Sequence, residues 1–128
     1  MAPSRTGPGV QRGQATVEFV LVLPVMISLV LIVVQIGIVT RDRLLLAHTA
    51  REAARAAAVD PSPATATAAA EMATGLKAER LTVELGSSRA TGDRLTVRVR
   101  YASPTDVPLI GLALPDVMLE TEVTVRVE

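Results

Sequence analysis

From Phe19 to Val39 the chain carries no charge, and only Ser28 and Gln35 bring polar side chains to this stretch. Wound as a helix at about 1.5 Å per residue, the run is roughly 31 Å long, the thickness of a bilayer's hydrocarbon core. The core helix of a soluble domain rarely needs so long an unbroken run, so the sequence predicts a transmembrane helix over residues 14–40. Pro24 lies inside it and cannot donate an amide hydrogen to the carbonyl of Val20, which predicts a loosened or kinked turn there. Transmembrane helices tolerate such prolines because neighbours re-satisfy the freed carbonyl. A bend put to functional use is the other reading of the same residue. Ser28 and Gly37 are small enough for helix contact, but not at the spacing of a small-xxx-small repeat.

Residues 1–13 form a polar leader with Arg5 and Arg12, two prolines and three glycines, for which no stable structure is expected. A lone carboxylate, Glu18, stands at the mouth of the apolar run. An acid at mid-bilayer costs about 2.5 to 3.5 kcal/mol and less near the interface, so Glu18 either snorkels to water or is paired. A cut after Gly13 would make Gln14 the N-terminus and place the new ammonium about one helical turn from Glu18. There it, or the ammonium of a neighbouring subunit, could neutralise the acid.

The segment Gly13-Gln14-Ala15-Thr16-Val17-Glu18-Phe19 resembles a prepilin-peptidase site, with cleavage after glycine and a glutamate five residues on. The longer stretch through Pro24 is similar to the opening of TadE-like proteins, minor pseudopilins of the Flp (tight-adherence, Tad) pilus system. An arginine- and alanine-rich pattern, loosely Arg41 to Ala54, continues the likeness, which covers about the first 45 to 60 residues. Where many relatives would carry an acid this sequence has Gln35, so a second intramembrane carboxylate is absent. The resemblance implies a cleavage site at Gly13 and Gln14, an assembly role for Glu18, and as partners a prepilin peptidase, other pilin-like subunits and the Tad assembly machinery. A plain secretory signal fits less well, because the apolar run exceeds the usual ~7 to 15 residues and no small-residue site closes it promptly.

Orientation is not legible from charge alone. Arg5 and Arg12 favour a cytoplasmic N-terminus, yet Arg41, Arg43, Arg51 and Arg55 follow the span. The peptidase resemblance decides for a single-pass protein of the cytoplasmic membrane with its N-terminus inside and residues 41–128 outside, or in the extracellular pilus.

Past the span, residues 41–59 hold neither proline nor glycine. Leu46, Ala50, Ala53, Ala54 and Ala57 share one helical face, with Arg43, Arg51, Glu52 and Arg55 mostly opposite. The sequence thus predicts one rod over 14–59, stopped by Asp60-Pro61-Ser62-Pro63. A second helix is expected over 64–78, ending near Gly75, although its alanine richness also suits a linker. Leu81–Leu85, Leu95–Tyr101 and Val123–Val127 alternate apolar and polar residues and read as strands, with Gly86 to Asp93 as the first connection. Their polar faces oppose Glu84, Glu120 and Glu122 to Arg98, Arg100 and Arg126. The fold class expected is α+β: a long membrane helix continuing as an amphipathic stalk, a short helix, and an antiparallel sheet of about three strands covering the stalk. Val107 to Pro115 is apolar, proline-bounded and non-periodic, fit either to tuck against the helix or to contact another subunit or the membrane surface.

Composition excludes several function classes. A formal net charge of zero and only Phe19 and Tyr101 as aromatics argue against a nucleic-acid surface. With no cysteine there is neither a disulfide framework nor a thiolate metal site. His48, the one histidine, sits among arginines on the stalk, where a solvated or capping role is expected. No catalytic, metal or cofactor motif appears, and no small-molecule substrate is implied. Two functions remain: a pilin-like component of Flp/Tad pilus assembly, cut after Gly13 and incorporated in or priming the pilus, or a membrane-anchored envelope protein whose outer domain binds a partner.

Overall fold

The computed structural model describes residues 9–87 and 90–128, with side chains from residue 13 onward. One helix, α1 (Gly9–Val59), dominates it. The helix begins before the expected position 14, so residues 9–13 of the leader are helical rather than unstructured. Once a helix is nucleated, each added residue gains a hydrogen bond for the dihedrals it fixes, and the strong downstream helix extends backwards through them. The rest of the leader lies outside the described residues. Pro24 interrupts one hydrogen bond without ending the helix.

The lower half of α1 touches almost nothing. Residues 13–30 are all exposed, and only 6% of the most apolar window is buried. A soluble core helix would be buried there; this one is long and apolar enough to cross a membrane. The upper half is different. Leu46, Ala50, Ala53, Ala54 and Ala57 are all buried, as the periodicity predicts, while Arg43, Arg51 and Arg55 face solvent and Glu52 is half-buried.

Val59 ends α1, and the Pro-rich break leads into α2 (Pro63–Ala73). Ser62 caps it, its Oγ accepting the Thr65 amide at 3.1 Å, and Pro63 takes the first turn, where a missing N–H costs nothing. Ala66 and Ala70 join the alanines of α1 in one buried cluster, since side chains this small let two helices approach closely. The second helix stops at Ala73 with Thr74 as its C-cap, next to Gly75, near which its end is expected. Thr74 turns extended and its hydroxyl accepts the Leu76 amide at 2.9 Å, which lets Leu76 bury itself in the core. A single 3-10 turn, Ala78–Arg80, then enters the sheet.

The sheet has order β1-β2-β3, all antiparallel, from β1 (Leu81–Leu85), β2 (Arg94–Ser103) and β3 (Val117–Arg126). Leu95, Val97, Val99 and Tyr101 of β2 are buried with Leu119 of β3 against the alanine face of α1. The third strand begins at Val117, earlier than the expected Val123. Thr121 interrupts its apolar alternation, so the pairing with β2, not the pattern, recruits residues 117–122. Gly92, in the connection between β1 and β2, has φ 89, a region that suits glycine.

On the outer face the expected charge pairs form. Arg100 bonds Glu120 (Nε to Oε2, 2.8 Å) and Glu84 (Nη1 to Oε1, 3.0 Å), and Arg98 reaches Glu120 and Glu122. Arg126 departs from the expectation and donates to the Gly92 carbonyl at 3.0 Å, because its register partner is Arg94. The Arg100 hydrogen bond holds the Glu120 carboxyl below its ordinary value of 4.5, more than offsetting the opposing effect of desolvation. A depressed folded-state value contributes stability above the ordinary value, and that contribution is lost as pH falls through the folded one. Urea midpoints of the micelle-embedded protein should therefore fall on acidification below about 4.5. Glu120→Gln should flatten that decline, and an unchanged slope in the variant would contradict the assignment.

The orientation of the sheet on α1 is set at both ends. At one end the Glu128 amide donates to the Ala58 carbonyl (2.9 Å), and the Val127 amide to that of Asp93 (3.0 Å). At the other, Ser103 Oγ donates to Asp42 Oδ2 at 2.7 Å. β2 thus descends along the stalk from the level of Ala58 to that of Asp42, just above the apolar run, and β3 climbs back.

Candidate functional site

Gly13, Gln14, Glu18 and Pro24 lie on the exposed, unpacked part of α1. A Cβ built on Gly13 meets nothing within 4 Å, so this fold places no demand for glycine there. Whatever requires glycine at 13 must act from outside the chain. Gln14 and Glu18 are one turn apart, and Gln14 Nε2 donates to Glu18 Oε1 at 3.5 Å, the long limit of a hydrogen bond. The carboxylate is therefore weakly held, and an ammonium one turn away would be a stronger partner. Six residues above Glu18, the Pro24 carbonyl accepts the Ser28 hydroxyl at 2.8 Å, a local bond that satisfies both Ser28 and the helix wall. The structure brings Gln14 and Glu18 together, whereas Gly13 and Pro24 share only the helix.

Two polar residues of α1 gain meaning only from the fold. Asp42 is buried and anchors Ser103 of β2, with Arg41 beside it at 3.7 Å. Its position one turn below Leu46, on the alanine face, was the available signal. Asp42→Ala would leave the buried Ser103 hydroxyl without its acceptor, at a cost of about 1 to 3 kcal/mol. Thermal or urea unfolding in micelles should show that loss, and Asp42→Asn, which keeps an acceptor oxygen, should show less. Gln35 is also buried, and neither of its amide atoms has a partner among the described residues. It lines a depression of about 400 Å³ with Ile36, Val39, Thr40, Arg43 and Val117.

His48 is exposed, as its helical position implies. No group of three or more histidine, cysteine, aspartate or glutamate side chains that could hold a metal ion occurs among the described residues.

The loop 104–116 is exposed rather than tucked away. Val107 is buried, but Leu109, Leu112 and Leu114 point outward, and residues Ile110–Ala113 form a short helix, α3. The loop is a built one. Asp116 accepts from the Thr105 amide (3.1 Å) and from Arg80 Nη1 (2.7 Å), and Thr105 Oγ1 donates to the Pro115 carbonyl (3.1 Å). The Thr105 amide, ahead of Arg80, holds the Asp116 carboxyl below its ordinary value. Gly111 lies so close to the Thr105 carbonyl that any Cβ would collide with it.

Residues 13–55 match the family described as TadE-like protein. The match takes in Gly13, Gln14, Glu18, Pro24, Gln35 and Asp42 and ends within the stalk. No curated protein and no solved structure matches the chain.

Proposed function

We propose, taking residues 13–55 as a TadE-like segment, that this protein is a pilin-like structural component of Flp/Tad pilus assembly and not an enzyme. In this reading a prepilin peptidase cuts after Gly13, and the mature subunit starts at Gln14. The helix α1 anchors it in the cytoplasmic membrane with its N-terminus inside and the helix-plus-sheet domain outside. The chain then joins other pilin-like subunits, entering the pilus or priming it.

The observation that carries this reading is the family match on a helix whose lower half has no protein packed against it. A helix surface with this many exposed apolar residues needs lipid, and later other helices, around it. Glu18 supplies a specific contact on that otherwise uniform surface. Its cost near lipid is recovered if a subunit ammonium at residue 14 neutralises it. The stalk and sheet then present a rigid outer head, because Asp42, Ser103 and the alanine face lock sheet to helix.

Mass spectrometry of the protein from cells with and without the peptidase tests the reading. The expected mature chain begins at Gln14 only where the peptidase is present. Recovery of the uncut N-terminus from peptidase-positive cells would leave the second function, a membrane-anchored envelope protein with a partner-binding domain.

A further inference from the structure

The sheet delivers the loop 104–116 to a defined height on the helix. Ser103 and Val117 face each other across the strand ends, and Ser103 is tied to Asp42. Because β2 descends the stalk, the loop continues past the sheet in the direction of the apolar run. Val117 confirms the height, since it shares one depression with Gln35, Ile36 and Val39 of the last apolar turns and with Thr40 and Arg43 above them. The loop and the start of β3 expose Leu109, Leu112, Leu114 and Met118. The three leucines belong to the connection that rejoins β3 at Val117, the residue that meets the last apolar turns of α1, and Met118 is exposed next to it on the outer face of β3.

We propose that this loop is a second membrane contact, with Leu109, Leu112, Leu114 and Met118 seated in the outer headgroup and upper acyl layer beside the exit of α1. The proposal rests on α1 spanning a membrane. Lipid is the occupant the observations favour, because the loop rejoins β3 at Val117, which shares a depression with the last apolar turns of a helix long and apolar enough to cross a membrane. Amphipathic elements bind in this way, with apolar side chains roughly 5–10 Å into the boundary and charges above them. Here the exposed Arg41 and Arg43 follow directly on the apolar run, Arg43 lining the same depression as Val117, where phosphates of anionic lipids would lie. Of the two acids in the loop, Asp116 is paired with Arg80, and Asp106 is exposed, beside the buried Thr105 and Val107 at the root of the loop. The hydrogen bonds of Thr105 and the tight approach at Gly111 keep the leucines turned outward instead of letting them collapse onto the sheet. A domain held at two points, helix and loop, cannot swing freely about the top of the span.

The absence of cysteine makes the test direct. Full-length Leu112→Cys, Met118→Cys, Val30→Cys and Met72→Cys would be spin-labelled in vesicles of phosphatidylethanolamine and phosphatidylglycerol. Collision with oxygen, which concentrates in lipid, is then compared with collision with a water-soluble nickel chelate. Leu112 and Met72 are matched controls, 90% and 89% exposed, but Met72 lies on α2 beside Arg55, roughly 20 Å further along α1 than Thr40. Labels at 112 and 118 should show nickel accessibility at least several-fold below that at 72, with oxygen accessibility raised towards that at 30. Nickel accessibility at 112 and 118 equal to that at 72 would overturn the proposal while Val30 still reports a span. Protection from both reagents would also overturn it, pointing to a second copy of the chain over the loop. If Val30 itself is open to nickel, the membrane anchor fails and the loop contact with it.

Discussion

Gly13→Val should leave the full-length chain uncut in peptidase-positive cells while its helix, insertion and outer domain stay as they are. The variant isolates recognition from folding because the fold is indifferent to the residue: the position is exposed and a Cβ there meets no atom within 4 Å. Valine is also a better helix former than glycine, so local helicity should not fall. What changes is the approach of a peptidase to the backbone, which a β-branched side chain obstructs. A clash worth about 3 kcal/mol in the cleft slows cutting by roughly a hundredfold. Gly13→Ala, with a single added methyl, should be cut at an intermediate rate. Intact-mass measurement of the membrane fraction checks both, and a Gln14 terminus in the valine variant at normal yield would refute cleavage at this site.

Glu18→Gln should be inserted and cut normally but lose its association with the pilus machinery. The side chain keeps its size, and removing the charge relieves the cost of an acid near lipid, so insertion should be unchanged or improved. Among the described residues the carboxylate's contact is the long one from Gln14 Nε2, so little local structure is lost. In the proposed reading, cutting after Gly13 makes the ammonium at residue 14 the matching charge, within the same turn or on a neighbouring subunit. Leaving one member of such a pair alone in a low-dielectric setting costs about 3 to 5 kcal/mol, which lowers association more than a hundredfold. Glu18→Asp should give a partial defect, since the charge remains but its reach shortens. Co-purification with the other pilin-like subunits, together with a count of surface pili, reads the effect. Normal values for both in the glutamine variant would mean that Glu18 only snorkels to the headgroups. Asp42→Ala provides the contrast, because its defect should appear in unfolding of the outer domain and leave cutting untouched.

The two sets of substitutions divide between what local sequence specifies and what packing specifies. The long apolar helix, the stalk and the family-like motif were legible because each depends on residues near one another in the chain. An uncharged run has one low-energy home, a period of 3.6 puts Leu46, Ala50, Ala53 and Ala57 on one face, and Gly13 through Glu18 form a continuous motif. The three strands were legible wherever apolar residues alternate without interruption, as in 81–85 and 95–101. That reading failed at 117–122, where Thr121 breaks the apolar face and only pairing with β2 extends the strand. The end of α2 near Gly75 was legible from the glycine, but the burial of Leu76 just beyond it was not, since it lies outside any helix propensity.

Gln35 and Asp42 show the limit most clearly. In sequence, one is a lone amide in a membrane run and the other an unremarked acid beside an arginine. In the structure both are buried, Asp42 by a bond to Ser103 far away in the chain and Gln35 in a depression it shares with Val117. Likewise, composition could show that 107–115 is apolar but not which way it faces. The sequence alone determined that this chain has a helix long and apolar enough to cross a membrane, an alanine-faced stalk and strand-forming segments, because those follow from periodicity and neighbours. Only the tertiary structure decided how the sheet slides along the stalk, and hence that Val117, where the loop rejoins the sheet, meets the last apolar turns of α1. That height is set by contacts between residues distant in sequence, which no local pattern encodes.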